Sequence, residues 1–230
     1  MDIPEVYFTS TNHIKLDRFR EMDYMAVDKY HLPIELMMEN AGMNLAHLAS
    51  TFLPDSGKIL IGIGTGNNGG GGLVAARRLS GWGFSVSLNI PDHKLKELPA
   101  IQLERALTFG SKIENTNNPD LFIDAYLGFS QYLPLSIEYQ NAVDNANRLS
   151  CTKISLDLPT GFNAQDYTSL FRPDIILTLA AMKTELLPLT KDIDMFLADI
   201  GLPEEVYNKF GLEQPGEFKR SSLLRLLAPN

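Results

Sequence analysis

A chain of 230 residues, 44% hydrophobic and 21% charged, can bury a continuous core without disulfides or metal staples. Its formal net charge of -8 excludes a broad nucleic-acid surface, which needs clustered Lys and Arg, but leaves room for a local anion site built from backbone N–H groups. With Cys151 as the single cysteine, no membrane-length apolar run, and a Met1–Asn12 segment neither Arg-rich nor strongly apolar, the chain reads as soluble and cytoplasmic, with neither nucleic acid nor membrane as partner.

Thr11 or Asn12 can cap a helix running to about Tyr30, with Ile14, Leu16, Phe19, Met22, Met25 and Ala26 on one face. Pro33 suits the first turn of a second helix, His31–Leu53, which buries Leu36, Met37, Ala41, Leu45 and Leu48. The residues Pro54, Asp55, Ser56 and Gly57 break that pattern. Apolar runs of strand length then follow at Ile59–Ile63, Phe84–Ile90, near Lys112, and at Leu121–Ile123, Lys153–Leu156, Ile175–Leu179 and Phe196–Ile200. Amphipathic segments fall between or after them at Leu73–Trp82, Leu95–Phe109, Ile137–Leu149 and Glu204–Phe210. Short, nearly continuous apolar strands separated by such helices predict an α/β fold, a three-layer αβα Rossmann-like sandwich around a mostly parallel central sheet. No repeat or composition shift divides the chain, so residues 1–230 read as one domain, and Gly211–Asn230 as a docked tail.

Parallel sheets carry their functional groups at the carboxyl ends of the strands, and four segments fall there. Gly64 to Gly72 (Gly-Thr-Gly-Asn-Asn-Gly-Gly-Gly-Gly) lies between the first long strand and the helix expected from Leu73. Glycines let a backbone approach a phosphate, and a helix N-terminus adds partial positive charge. The competing reading is a tight turn with no ligand, but four consecutive glycines weaken a helix start for little gain. No Lys-Ser or Lys-Thr follows, which removes a P-loop NTPase. Asp124 closes the run Leu121–Ile123 and either serves chemistry or caps the next turn. Asp157-Leu158-Pro159-Thr160-Gly161 closes another run, where Pro and Gly fix a turn presenting Asp157 and the Thr160 hydroxyl, or form an Asx turn with no further role. Lys183 follows Ile175–Leu179, a position usually held by a solvated loop charge, and its functional reading is the weakest of the four. His13, His31, His47 and His93 lie away from the strand ends and are assigned to packing or solvent, so with one Cys no zinc site competes. Cys151 reads as a small residue at the core edge.

Together these segments resemble the NAD(P)H-hydrate epimerase family, the YjeF N-terminal domain: Gly-Asn-Asn-Gly-Gly, a strand ending in Asp-Ala, then Asp-x-Pro-Thr-Gly. Met38-Glu39-Asn40-Ala41-Gly42, Val74–Leu79 and Asp199-Ile200-Gly201-Leu202-Pro203 are similar to further family segments in family order, from about Asn12 to Gly211. The resemblance implies a substrate site for a hydrated dinucleotide lined by Asn67, Asn68, Gly69, Gly70 and Gly71 and by Gly128, Phe129, Ser130, Gln131, Tyr132, Leu133 and Pro134, with Asp157 contacting the substrate. It also implies a potassium ion (K+) held by Asn68, Asp124 and Thr160, an oxygen-donor set suited to a hard cation. Three positions depart from the family pattern. Gly71 stands where the family has Asp, Thr160 replaces a usual Ser and keeps the hydroxyl, and the segment Gly128–Pro134 lacks a common second Gly-Pro pair.

The activity implied is interconversion of the R and S forms of NADHX and NADPHX, whose nicotinamide ring carries an added water. The C6 hydroxyl must leave, a planar cationic ring form, and water return to the other face. This asks for a carboxyl, its pKa raised by partial burial, that gives and retakes a proton. Asp157 is assigned that role with Lys183 as the second candidate catalytic residue; Asp157 as a purely positioning group stays open. A dehydrogenase would want an acid closing the second strand, where Asn89 stands. A non-catalytic relative that binds a nucleotide or protein is the stronger alternative, supported by Gly71. The expected partners are the NAD(P)HX substrate and a separate NAD(P)HX dehydratase, with a homodimer as one assembly open to the chain.

Overall fold

The computed structural model describes residues 3–7, 12–116 and 118–228. Strands β1 (Glu5–Tyr7) and β2 (His13–Ile14) precede helices α1 (Leu16–Tyr30) and α2 (Ile34–Ser50). An alternating series follows: β3 (Lys58–Ile63), α3 (Asn67–Gly81), β4 (Ser85–Asn89), α4 (Glu97–Thr108), β5 (Lys112–Ile113), β6 (Leu121–Ala125), α5 (Ile137–Asn147), β7 (Thr152–Leu156) and β8 (Ile175–Leu179). The strand β9 (Met182–Lys183), a 3-10 segment Thr184–Lys191, β10 (Asp194–Ala198), α6 (Glu204–Lys209), a second 3-10 segment Gly216–Lys219 and β11 (Leu223–Leu227) complete the order.

Among the described residues, nine strands form one sheet in the order β1-β11-β10-β8-β7-β6-β3-β4-β5, and β2 pairs with β9 apart from it. Neighbouring strands of the large sheet run parallel, except β10 against β11. Side-chain alternation explains the layers. Ile59, Ile61 and Ile63 of β3 face a core shared with Leu45 and Leu48 of α2 and with Leu73, Ala76 and Leu79 of α3. Leu60, between them, faces the other side with Phe122, Tyr139 and Val143, against α5. The chain runs outward from β3 through β4 to β5, then returns to β6 on the other flank of β3. That reversal opens a crevice at the carboxyl ends of β3 and β6, where a parallel sheet binds its ligands.

The expected three-layer fold is present, with strand ends within about two residues of those read from sequence. Several local expectations change. The first helix begins at Leu16 with Lys15 as N-cap, because Ile14 and His13 are drawn into the β2–β9 pair; Thr11 lies outside the described residues. Leu36 is 52% exposed, so it belongs to the outer face of α2. Helix α3 starts at Asn67, six residues before the expected Leu73, which leaves only Gly64, Thr65 and Gly66 as loop. The tail contributes strand β11, which receives β1 on its free side.

Packing explains two of the four glycines that open this helix, where glycine costs about 1 kcal/mol each relative to Ala. A side chain at Gly69 would run into the carbonyl oxygen of Gly64, and one at Gly72 would press on Ala125 of β6. From α2, Gly42 makes the matching concession to Val74 and the Gly71 carbonyl oxygen. Glu39 ties the two helices further, its carboxylate accepting from Arg77 at 2.6 Å and Arg78 at 3.1 Å. Asn40 and Asn44 donate to the carbonyl oxygens of Ile200 and Asp199 at 3.1 and 2.9 Å, fixing α2 on the turn after β10.

Candidate active site

The crevice holds a pocket of about 260 Å³. It is lined by the N-terminus of α3 with Thr65, Gly66, Asn67 and Asn68, by an apolar set of Ile34, Met37, Met38, Leu156, Leu179 and Ile200, and by Asp157 and Asp23. The first N–H groups of a helix have no intrahelical partner, so the α3 end offers an anion a set of oriented donors.

Asp157 leaves β7 with a positive φ of 68°, a conformation few non-glycine residues adopt and one that marks functional positions. Its N–H bonds the Leu177 carbonyl at 2.8 Å, which fixes the kink. The carboxylate is buried and doubly held. Oδ1 accepts from Lys183 Nζ at 2.8 Å and Oδ2 from the Phe129 N–H at 3.2 Å.

Lys183 is fully buried, so the sequence reading of it as a weak, loop-borne candidate is corrected to an interior partner of Asp157. Ala180, at φ 59°, turns the chain after β8 back into β9, and pairing with β2 carries Lys183 inward. Its ammonium also donates to Thr178 Oγ1 at 3.1 Å and the Leu179 carbonyl at 2.8 Å, and sits 3.7 Å from the centre of the Phe19 ring. Burial pulls the Lys183 pKa below its usual value, while the Asp157 charge opposes that fall.

Asp124, buried at the end of β6, accepts from the Thr160 hydroxyl at 2.6 Å, the Thr160 N–H at 2.8 Å, Ser155 Oγ at 2.9 Å and the Tyr126 N–H at 3.3 Å. Burial nevertheless pushes its pKa up to about 6, these hydrogen bonds pulling the other way. Asn68 lies over Gly128. A Cβ on Gly128 would sit 3.1 Å from Asn68 Oδ1 and 3.2 Å from Asp157 Oδ2, so glycine here lets both side chains close on one spot. Asn68 Nδ2 is buried and, among the described residues, has no hydrogen-bond partner. Half a turn of the amide would bring its oxygen to that place. By donor type, Asn68, Asp124 and Thr160 suit a hard cation, with both Asp124 oxygens and the Thr160 hydroxyl engaged in hydrogen bonds here. Among the described residues no three His, Cys, Asp or Glu side chains group as a metal site.

Of the expected substrate residues, Asn67, Asn68, Gly71, Gly128, Phe129, Ser130, Gln131 and Asp157 line the pocket. Gly69 and Gly70 are packed beneath it, and Tyr132, Leu133 and Pro134 stand outside its lining, Tyr132 82% exposed. Gln131 locks its segment to the Pro159–Phe162 turn, accepting from Gly161 N at 2.6 Å and donating to the Pro159 carbonyl at 3.1 Å. Gly71 differs from its neighbours. A Cβ there would meet only Leu156 Cδ2, at 3.0 Å, so a side chain at this position points into the pocket. Sequence reading missed Asp23, Lys96 and the α2 wall. Asp23 follows Phe19 by one helical turn, and that spacing was its available signal. Asn89, the dehydrogenase alternative's position, is engaged elsewhere, accepting from Tyr126 Oη at 2.6 Å and donating to Asn115 at 2.8 Å.

The family model described as YjeF-related protein N-terminus matches residues 34–185. A protein of Dehalogenimonas lykanthroporepellens named NAD(P)H-hydrate epimerase is 36% identical over 222 residues, covering 91% of this chain and 90% of its own. Another of that name from Rhodopirellula baltica is 33% identical, covering 85% and 86%. A bifunctional NAD(P)H-hydrate repair enzyme of Thermosynechococcus vestitus is 32% identical over 68% of this chain and 33% of its own length. The solved yeast protein YNL200c superposes with a TM-score of 0.83 at 20% identity, over 93% of this chain and 99% of that one, which shows the same fold. The chain belongs to the family of YjeF-related protein N-termini.

Proposed function

We propose that this protein is an NAD(P)H-hydrate epimerase, interconverting the R and S forms of hydrated NADH and NADPH. The observation that carries the reading is the buried Asp157–Lys183 pair beside a pocket that the N-terminus of a helix also lines. Relatives named for this activity, matched over most of both chains, support it.

The substrate's pyrophosphate fits the α3 end, where free N–H groups and the cation Lys96 meet it. The hydrated ring lies along Met37, Met38 and Leu156, which keep bulk water from the reacting carbon. When the C6 hydroxyl leaves, the ring gains positive charge, and the fixed Asp157 carboxylate stabilises it without reorganising. Lys183 keeps that carboxylate in place through the cycle. The reaction needs in addition a carrier for the proton that departs and returns with water. Asn68, Asp124 and Thr160 would hold a potassium ion, which supplies positive charge next to the strand ends and rigidity to the Gly128 segment. We infer that an NAD(P)HX dehydratase acts in the same repair, consistent with a relative being named bifunctional. A binding module without catalysis has only the Gly71 replacement behind it, and the buried Asp157–Lys183 pair speaks against it.

The test supplies purified protein with one pure NADHX epimer and follows the R/S ratio by chromatography. The mixture should be restored faster than spontaneously, and Asp157→Asn should slow it by at least about 100-fold, the scale of a lost preorganised charge. No acceleration by the wild type refutes the proposal.

A further inference from the structure

The proton carrier is the part of this chemistry that the Asp157–Lys183 pair leaves unassigned. Both oxygens of Asp157 are occupied, one by an ammonium and one by a backbone N–H. Protonating that carboxylate would break a buried ion pair, which strands the Lys183 charge. A second carboxyl faces the same pocket. Asp23 lies on α1 and lines the cavity with Asp157. Its position is fixed by the turn before it: Phe19 lies under the Lys183 ammonium, and Arg20 Nη2 donates to the Phe129 carbonyl oxygen at 3.0 Å. Among the described residues no donor hydrogen-bonds the Asp23 carboxyl, so its oxygens remain available to a substrate hydroxyl.

Resting on the epimerase reading, we propose that Asp23 is the catalytic acid and base of the reaction, and that the Asp157–Lys183 pair is its fixed electrostatic partner. In the first half-reaction the C6–O bond breaks with its electron pair going to oxygen, and the Asp23 proton moves to that oxygen, so that water departs. The ring is left cationic, opposite the Asp157 charge. In the second half-reaction a water oxygen forms the C6–O bond on the other face, and the proton that it gives up goes to the Asp23 carboxylate. Asp23 ends as it began, and nothing is oxidised or reduced.

The electrical surroundings suit this role. Asp23 is pushed up to about 6 first by burial and then by the Asp157 charge, with Lys183 pulling the other way. Arg20 lies one turn back on α1, and Lys96 lines the same pocket. A carboxyl in this range exchanges protons readily near neutral pH, which an ordinary exposed Asp does not.

The experiment measures initial rates from one pure NADHX epimer between pH 5 and 9, with wild type, Asp23→Asn, Asp23→Glu and Asp157→Asn, each checked for folding by its melting curve. Asp23→Asn should lose about 100-fold or more in kcat with KM nearly unchanged. The wild-type profile should break near pH 6, and that break should vanish in Asp23→Asn, whereas in Asp157→Asn it should persist at lower rate and move to lower pH, because the Asp157 charge that raises Asp23 is gone. Asp23→Glu should recover part of the rate. A folded Asp23→Asn as active as wild type, or one that keeps the break, overturns the assignment while leaving the epimerase reading intact. A wild type that does not accelerate the reaction removes that reading itself, and this assignment with it.

Discussion

Replacing Lys183 by Met removes a charge while keeping most of the buried volume. Lys183 is fully buried and uses its ammonium on Asp157, Thr178 and the Leu179 carbonyl, with the Phe19 ring against it. In Lys183→Met the Asp157 carboxylate stays buried without a counter-charge, and the Thr178 hydroxyl and Leu179 carbonyl lose a donor. Breaking one side of a buried pair costs about 3–5 kcal/mol. With a urea slope of about 2 kcal/mol/M, the unfolding midpoint should fall by roughly 1.5–2.5 M. Adding Asp157→Asn should recover part of the loss, since the stranded charge is then gone, and a double-mutant cycle should return a coupling of at least about 2 kcal/mol. The measurement is equilibrium urea unfolding of the four proteins at pH 7.5. A Lys183→Met protein within about 1 kcal/mol of wild type, or a double variant less stable than Lys183→Met, would refute a buried pair as the organising feature of the site.

Gly71→Asp places a carboxyl in the pocket against only Leu156 Cδ2, so calorimetry should find dinucleotide binding unchanged or tighter and stability within about 1 kcal/mol of wild type. Gly69→Ala should destabilise by more than about 2 kcal/mol because the new methyl meets the Gly64 carbonyl, whereas Gly70→Ala displaces only the flexible end of Met38 and should be near neutral in thermal unfolding. Potassium should raise the melting temperature more than an equal concentration of lithium, and Asp124→Asn should remove the difference; equal effects of both salts on the wild type would end the cation proposal. The Asp23 carboxyl is raised to about 6 in the folded protein, above its unfolded value, so it favours folding below about pH 4 and loses that contribution as pH rises through 6. Asp23→Asn should therefore be more stable than wild type at pH 8, by on the order of 1–3 kcal/mol, with the gain gone near pH 4 in urea titrations.

The central sheet was legible because each buried parallel strand is a short continuous apolar run, as in Leu121–Ile123 and Ile175–Leu179. Asp124 and Asp157 were legible for the same reason, as acids ending such runs. Lys183 was named as a candidate, but its burial was not legible, because it depends on a two-residue strand paired with the distant His13–Ile14. Asp23 was hidden on a helix where Phe19, Met22 and Ala26 already account for an apolar face. The start of α3 at Asn67 escaped because glycine's poor helix propensity argues for a loop, and the close approach of β3, β6 and α2 that outweighs it is a tertiary fact. Strand β1, three residues at the sheet edge, gave no periodic signal long enough to read, and β11, apolar at four of its five positions, was read as part of a docked tail.

Water loss and return at one ring carbon leave an isotopic record. One pure NADHX epimer, incubated with the wild type in water enriched in oxygen-18, should convert to the other epimer faster than the spontaneous reaction, and each newly formed molecule should carry the heavy oxygen at its ring hydroxyl. Conversion no faster than without protein, or fast conversion in which the new epimer keeps its original oxygen, would contradict the account.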